Sequence, residues 1–176
     1  MPPEVRLLNA GGSGVPDLAG VAAEVARVLG VPVRVERLAL DLDAAFDRPR
    51  RQHNSTALLA QLVARGGPPQ EKRLAVVDVD LFIPVLTFVF GEAQLDGPAA
   101  IVSTARLDER FYGLPANPAL LRERLVKEIV HELGHTLGLY HCRQFECVMR
   151  SSTDVDEIDL KRDGLCVECS ARLGLS

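Results

Sequence analysis

The sequence predicts an α/β (α+β) fold, in which a mixed, twisted sheet of about five strands packs with three helices. Short apolar segments typical of buried strands alternate along the chain with segments whose apolar residues recur at helical spacing. Glycine and proline separate these segments, whereas residues 138–176 follow neither period and contain all four cysteines. We therefore expect a region of sheet and helices followed by an irregular C-terminal region.

The first third of the chain supplies two predicted strands, a helix and a loop. Residues 5–9 predict a short first strand, and the alternating apolar residues of 32–40 predict a second. Between them, residues 17–29 have apolar side chains at helical spacing and stop before Gly30, a common helix end. Residues 41–53 are polar and rich in Arg and Asp, which favours a solvated loop over a loop that contacts a substrate.

The middle of the chain supplies the remaining predicted elements. Residues 55–64 predict a second helix, and the near-continuous apolar run at 74–83 is typical of a strand buried on both faces. Residues 86–90 and 99–106 predict two further strands. The third helix is predicted at 118–137, because Asn117 is a good cap and Pro118 lacks only an N–H that the first turn does not use.

Length and composition predict one domain spanning residues 1–176. The chain has 176 residues, of which 47% are hydrophobic and 25% charged, as in soluble globular proteins. We expect residues 1–138 to hold the sheet and helices and residues 139–176 to form a C-terminal subdomain. The net charge of −4 disfavours a nucleic acid or an anionic membrane as partner.

The N-terminal sequence indicates a cytoplasmic protein. Residues 1–6 do not begin the pattern of a secretory signal, which is a basic segment followed by an apolar one. The longest apolar stretches, such as residues 81–90, are too short to span a bilayer. In the cytoplasm, four cysteines are expected to be free or bound to metal rather than paired as disulfides.

Residues 131–141 contain the candidate catalytic motif, which reads His-Glu-x-x-His-x-x-Gly-x-x-His. On a helix, residues four apart lie on one face, so His131 and His135 are predicted to aim their rings at one point. Gly138 can end the helix and fold the chain back, which lets His141 return to the same point. Three histidines would hold a zinc ion and leave its fourth position for water, the pattern of a catalytic site.

Glu132 is the predicted general base of this site. It follows a predicted ligand in the chain, so its carboxylate is expected beside the water that zinc activates. The alternative interpretation is an amphipathic helix whose histidines are satisfied core residues. Because three of the four histidines of the chain fall in this one motif, the zinc site is favoured.

The motif and its continuation resemble a known family. The three histidines followed by Met149 resemble the metzincin clan of zinc peptidases. The continuation Cys142-x4-Cys147-Val148-Met149, and then Cys166-x-x-Cys169, resembles the archaemetzincins within that clan. The interval from Met149 to Cys166 agrees with the family to within about a residue.

The resemblance implies a metzincin-like fold and a role for each motif residue. His131, His135 and His141 would bind the catalytic zinc, Glu132 would be the base, and Met149 would form the turn beneath the histidines. The second zinc ion, a structural one, would be bound by Cys142, Cys147, Cys166 and Cys169.

The chemistry of four thiolates agrees with this implied second site, since they form a closed tetrahedral zinc site. The alternatives are four free cysteines, or a redox pair at Cys166 and Cys169, which no thioredoxin-like unit surrounds. For Met149 the alternative is an adaptable core residue, which is compatible with the turn.

The predicted function is zinc-dependent hydrolysis of a peptide or protein substrate. The segment 86–90, with residues 91–94 after it, resembles the clan's edge strand that pairs with an extended peptide, and an ordinary hairpin strand is the alternative. The alternative function is a zinc-binding scaffold or peptide-binding protein with little or no proteolysis. An acidic stretch at 154–159 argues against nucleic acid, and a monomer is favoured, although the sequence leaves the oligomeric state open.

Overall fold

The computed structural model describes residues 3–175, so Met1, Pro2 and Ser176, at the ends of the predicted domain, lie outside the described residues. The strands are β1 Glu4–Asn9, β2 Val33–Arg37, β3 Phe46–Asp47, β4 Gln52–Asn54, β5 Glu71–Val77, β6 Leu81–Phe82, β7 Gly91–Ala93 and β8 Ala99–Ser103. The α-helices are α1 Leu18–Leu29, α2 Leu42–Ala45, α3 Ser55–Ala64, α4 Pro118–Thr136, α5 Val155–Leu160 and α6 Val167–Arg172. A short 3₁₀-helix spans Glu109–Tyr112.

The main sheet has five strands in the order β2-β1-β5-β8-β7. The first four run parallel, and β7 pairs antiparallel with β8 at the edge, so the mixed five-stranded sheet is confirmed. A second, smaller sheet has the order β3-β4-β6. Within residues 3–175, each helix is too short or too polar to cross a bilayer.

Strand β5 begins with the charged residues Glu71, Lys72 and Arg73, and its second half, residues 74–77, is uniformly apolar. Leu74 and Val76 point to one face of the sheet, where they join the core built from α1 and α4. Ala75 and Val77 point to the other face, where they join the core under α3. Because both faces are covered, both sets of side chains are buried.

The three predicted helices are confirmed as α1, α3 and α4. Each begins at a capping side chain that accepts a backbone N–H: Asp17 from Ala19 for α1, Asn54 from Ala57 for α3, and Asn117 for α4. The Asn117 cap was predicted from the sequence, and the helix bounds agree with the prediction to within one residue.

Several predicted elements are wrong in detail. The single strand at 74–83 is two strands, β5 and β6, separated by a turn in which the Asp78 carboxylate accepts the N–H groups of Gly12 and Gly14 at 3.1 and 3.0 Å. The predicted loop at 41–53 contains α2, β3 and β4, and the strand at 99–106 ends at Ser103. The irregular region 138–176 contains α5 and α6.

The predicted strand at 86–90 is also wrong. Only an isolated bridge joins Val89 to Leu81 there, and the edge strand is β7, at Gly91–Ala93. The edge therefore lies in the stretch that follows the predicted strand. This position matters for the site, because β7 passes directly over the last turns of α4.

Candidate active site

The C-terminal end of α4 brings the three predicted histidines together. His131 and His135 lie one turn apart on the helix, and Gly138, at φ 94°, turns the chain back so that His141 approaches them. The ring centroids are 4.7 Å apart for His131 and His135, 5.3 Å for His131 and His141, and 4.9 Å for His135 and His141. One ring nitrogen from each histidine lies within 4.8 Å of the others.

The hydrogen bonds of the first two histidines fix where their protons are. Nδ1 of His131 lies 2.8 Å from the Val148 carbonyl oxygen, and Nδ1 of His135 lies 2.7 Å from that of Leu139. A carbonyl oxygen only accepts, so each Nδ1 carries the proton and each Nε2 presents a lone pair. The two Nε2 atoms face each other at 3.1 Å, an arrangement that a cation between them would stabilise.

Burial keeps these imidazoles neutral. It lowers the pKa of His131 well below the usual 6.5, and the ammonium of Lys161 lowers it further. Burial likewise lowers the pKa of His135 and of His141. Neutral imidazole is the form that binds metal, so the three rings fit a zinc ion at neutral pH.

Glu132 lies beside the histidines and is buried. Burial raises the pKa of its carboxyl well above the usual 4.5, and the negative charges of Glu128 and Glu92 raise it further. The backbone of β7 crosses close above Glu132. A Cβ added at Gly91 would lie 2.9 Å from Oε1 of Glu132 and 2.6 Å from the Ile101 carbonyl oxygen. Only glycine therefore fits at this crossing.

Met149 is fully buried. It packs against α4 so closely that a Cβ added at Gly134 would lie 2.9 Å from its Cε. Its carbonyl oxygen accepts the N–H of Cys142 at 3.0 Å, which links the turn to the segment that carries His141. The methionine thus packs against the helix that carries His131 and His135, and its role as the turn beneath the histidines stays a prediction.

The four cysteines form a second cluster. The Sγ atoms of Cys142 and Cys166 are 3.8 Å apart, those of Cys147 and Cys169 are 3.9 Å apart, and all four lie within 4.8 Å of one another. A zinc ion bound tetrahedrally at about 2.3 Å from each sulfur requires sulfur–sulfur distances of about 3.8 Å. All four thiols are free, so the cluster has the geometry of a metal site rather than of disulfides.

A cleft of about 550 Å³ opens in front of the three histidines. Residues 86–93 line one side, and the lining also includes Glu128 and Lys161, which the sequence reasoning missed. It also missed Glu92, whose carboxylate is held by the hydroxyls of Ser55 and Thr56, the latter at 2.9 Å. No sequence pattern marked these residues, because each acts through partners that are distant in the chain.

Similar proteins found by sequence are archaemetzincins. A family model described as peptidase family M54 matches residues 30–174. An archaemetzincin of Methanocaldococcus jannaschii is 43% identical over 129 residues, which cover 73% of this chain and 70% of the relative. An archaemetzincin of Methanopyrus kandleri is 40% identical over 150 residues, which cover 85% of this chain and 81% of the relative.

Solved structures of similar proteins have the same fold. A crystal structure of a zinc-dependent peptidase from Methanocorpusculum labreanum superposes with a TM-score of 0.87 at 32% identity, over 96% of this chain and 99% of that one. The crystal structure of the Methanopyrus kandleri archaemetzincin gives a TM-score of 0.86 at 36% identity, over 98% of this chain and 94% of that one. The chain therefore belongs to peptidase family M54, the archaemetzincin family of zinc metallopeptidases.

Proposed function

We propose that the chain hydrolyses peptide bonds at a zinc ion held by His131, His135 and His141, with Glu132 as general base. The observation that carries the proposal is the pair of Nε2 lone pairs facing each other at 3.1 Å while both Nδ1 protons bind backbone carbonyls. A bound zinc would lower the pKa of the attacking water to about 7 and polarise the scissile carbonyl.

Glu132 moves the proton in this proposal. Its carboxylate accepts a proton from the attacking water and then delivers it to the leaving amine. The buried position supports this role, because a carboxyl with a raised pKa holds a proton more readily than an exposed one. Gly91 keeps β7 close above the carboxylate, which limits its movement.

The substrate is proposed to bind as an added strand along β7. This strand is the edge of the main sheet, so one side of its backbone is free to pair with an extended peptide. A peptide bound there would lie in the cleft, over the histidines. Of the expected edge, residues 86–90 with 91–94 after them, this arrangement uses Gly91–Ala93.

A second zinc ion is proposed at the four cysteines, which gives two per chain. Backbone N–H groups point at the sulfurs, such as that of Cys166 toward Cys147 at 3.4 Å, and they would stabilise thiolates. This ion would tie residues 139–176 to the rest of a single domain. Because thiolate ligands need reducing conditions, the site also supports the cytoplasmic location expected from the sequence.

The test compares Glu132→Gln with wild type on a library of quenched fluorogenic peptides. The amide keeps the shape of the side chain but cannot accept the proton, so kcat/KM is expected to fall by about 10²- to 10⁴-fold with unchanged zinc content. Glu123→Gln is the matched control, since Glu123 is an exposed residue of the same helix. If zinc-loaded wild type cleaves nothing in the library, the chain is a zinc-binding scaffold and the proposal is wrong.

A further inference from the structure

Lys161 follows α5 directly as its C-cap residue, and only 1% of its side chain is exposed. Lysine is almost never fully buried unless its charge is paired. Its Nζ donates to the carbonyl oxygens of Val148 at 3.2 Å and Arg150 at 2.9 Å, and it lies 3.5 Å from Oε1 of Glu128. The two carbonyl oxygens accept two of the three N–H bonds of the ammonium, and the Glu128 carboxylate lies close enough to pair with its charge.

One of these partners also contacts a proposed zinc ligand. The Val148 carbonyl oxygen accepts the Nδ1–H of His131 at 2.8 Å, so the histidine and the lysine share one acceptor. A carbonyl oxygen has two lone pairs and can accept both. Val148 and Arg150 flank Met149 in the chain, so the lysine holds the backbone on both sides of the methionine.

The third partner closes the arrangement. Glu128 lies on α4, one turn before His131, and is buried at 4% exposure. Its Oε1 makes no hydrogen bond within residues 3–175; it forms an ion pair with Lys161, and the charge of Lys127 acts on it more weakly. The helix, the carboxylate, the ammonium, the Val148 carbonyl and the imidazole thus form a closed ring of contacts around His131.

Such a pair is not what stability alone would favour. Taking both charges out of water costs free energy, and apolar side chains of similar volume often stabilise a core as well or better. In metal sites, by contrast, the group that accepts the second N–H of a histidine fixes the orientation of the ring. In this chain that group is the Val148 carbonyl, and the ion pair of Lys161 and Glu128 is placed to hold it.

We propose that Lys161 is a positioning residue for His131, acting through the Val148 carbonyl, with Glu128 as the counter-charge. The proposal rests on the proposed function, because His131 must be a zinc ligand. Lys161 holds the carbonyl in the position that keeps Nδ1 protonated and Nε2 aimed at the metal. Its contribution is therefore to metal affinity as well as to stability.

A merely structural lysine would only tie α5 to α4, and the chain contains one that does so. Lys127 is also buried on α4, and its Nζ donates to the carbonyl oxygens of Ile158 at 3.1 Å and Asp159 at 3.2 Å. It contacts the end of the same short helix without touching Val148. Lys127→Met is therefore the matched control for Lys161→Met.

The experiment measures zinc affinity for the histidine site, by competition with a chelator, together with the thermal midpoint Tm. Lys161→Met is expected to bind zinc 10- to 100-fold more weakly, the usual range for loss of a group that orients a ligand. The double variant Lys161→Met/Glu128→Met removes the unpaired carboxylate, so it is expected to regain Tm but not zinc affinity. Lys127→Met is expected to lower Tm while binding zinc as wild type does.

The outcomes separate the two proposals. If the double variant folds and binds zinc as tightly as wild type, or if Lys127→Met weakens zinc as much as Lys161→Met does, the positioning role is wrong. The double variant keeps the test decisive if Lys161→Met alone does not fold. If wild type takes up no zinc at the histidines, the proposed function itself fails, whatever the lysine variants do.

Discussion

Replacing Gly91 with alanine tests how tightly β7 and the proposed base are packed. The new Cβ would lie 2.6 Å from the Ile101 carbonyl oxygen, whereas carbon–oxygen contacts in sheets are about 3.3–3.6 Å, so the backbone must move by about 0.7 Å or more. The Cβ would also press on Glu132, 2.9 Å away. A misplacement of about 1 Å in an active site costs about 10²-fold in rate.

We therefore expect Gly91→Ala to lower kcat/KM by about 10²-fold on a fluorogenic peptide, without loss of zinc from the histidines. Overpacking of this kind should also lower the free energy of unfolding by about 1–3 kcal/mol. Gly164→Ala is the control, since a Cβ there meets no atom within 4 Å. A folded Gly91→Ala variant with activity within about threefold of wild type would show that the crossing does not constrain Glu132.

Three further predictions concern the metals and pH. Replacing Cys142 or Cys169 with serine should weaken zinc binding at the histidines as well as at the cysteines, because Cys142 is joined to His141 and to the Met149 carbonyl. Full occupancy of the histidine site in a metal analysis of either variant would contradict this. Removing zinc with a chelator should lower Tm and expose the amides of residues 139–176 to hydrogen exchange, and added zinc should reverse both effects. In the metal-free protein, burial lowers the pKa of His131, so this side chain binds fewer protons in the folded than in the unfolded chain. The Tm should therefore fall as the pH drops below about 6.5, and it should fall less steeply in His131→Gln.

The elements that the sequence predicted well are those whose signals are local. Helix α4 was predicted to within one residue, because a cap, a proline and a helical period coincide there. The histidine and cysteine clusters were equally readable, since metal ligands need fixed residue types at fixed spacings. The edge was predicted only in part: residues 91–94 were included in it, but the strand was expected at 86–90, because Gly91–Ala93 has little intrinsic preference for a strand and is held by its pairing with β8.

The residues that surround the motif were hidden for a different reason. The aromatic run at 86–90 has the composition of a strand, yet only Val89 is bridged there. Gly91 and Lys161 carry no local signal, because their roles depend on partners brought close by the fold, Ile101 for one and Val148 for the other. The residues of a metal-binding motif are therefore easier to predict from one sequence than the groups that pack against them.

The turn between β1 and α1 bears on whether the sheet can bind a phosphate group. A glycine-rich turn that joins a parallel strand to a helix is a common cradle for phosphate, because its N–H groups converge on an anion. Here the Asp78 carboxylate already takes the N–H groups of Gly12 and Gly14. A nucleotide arriving at this turn would meet a negative charge in place of free donors, so this turn is unsuited to binding phosphate.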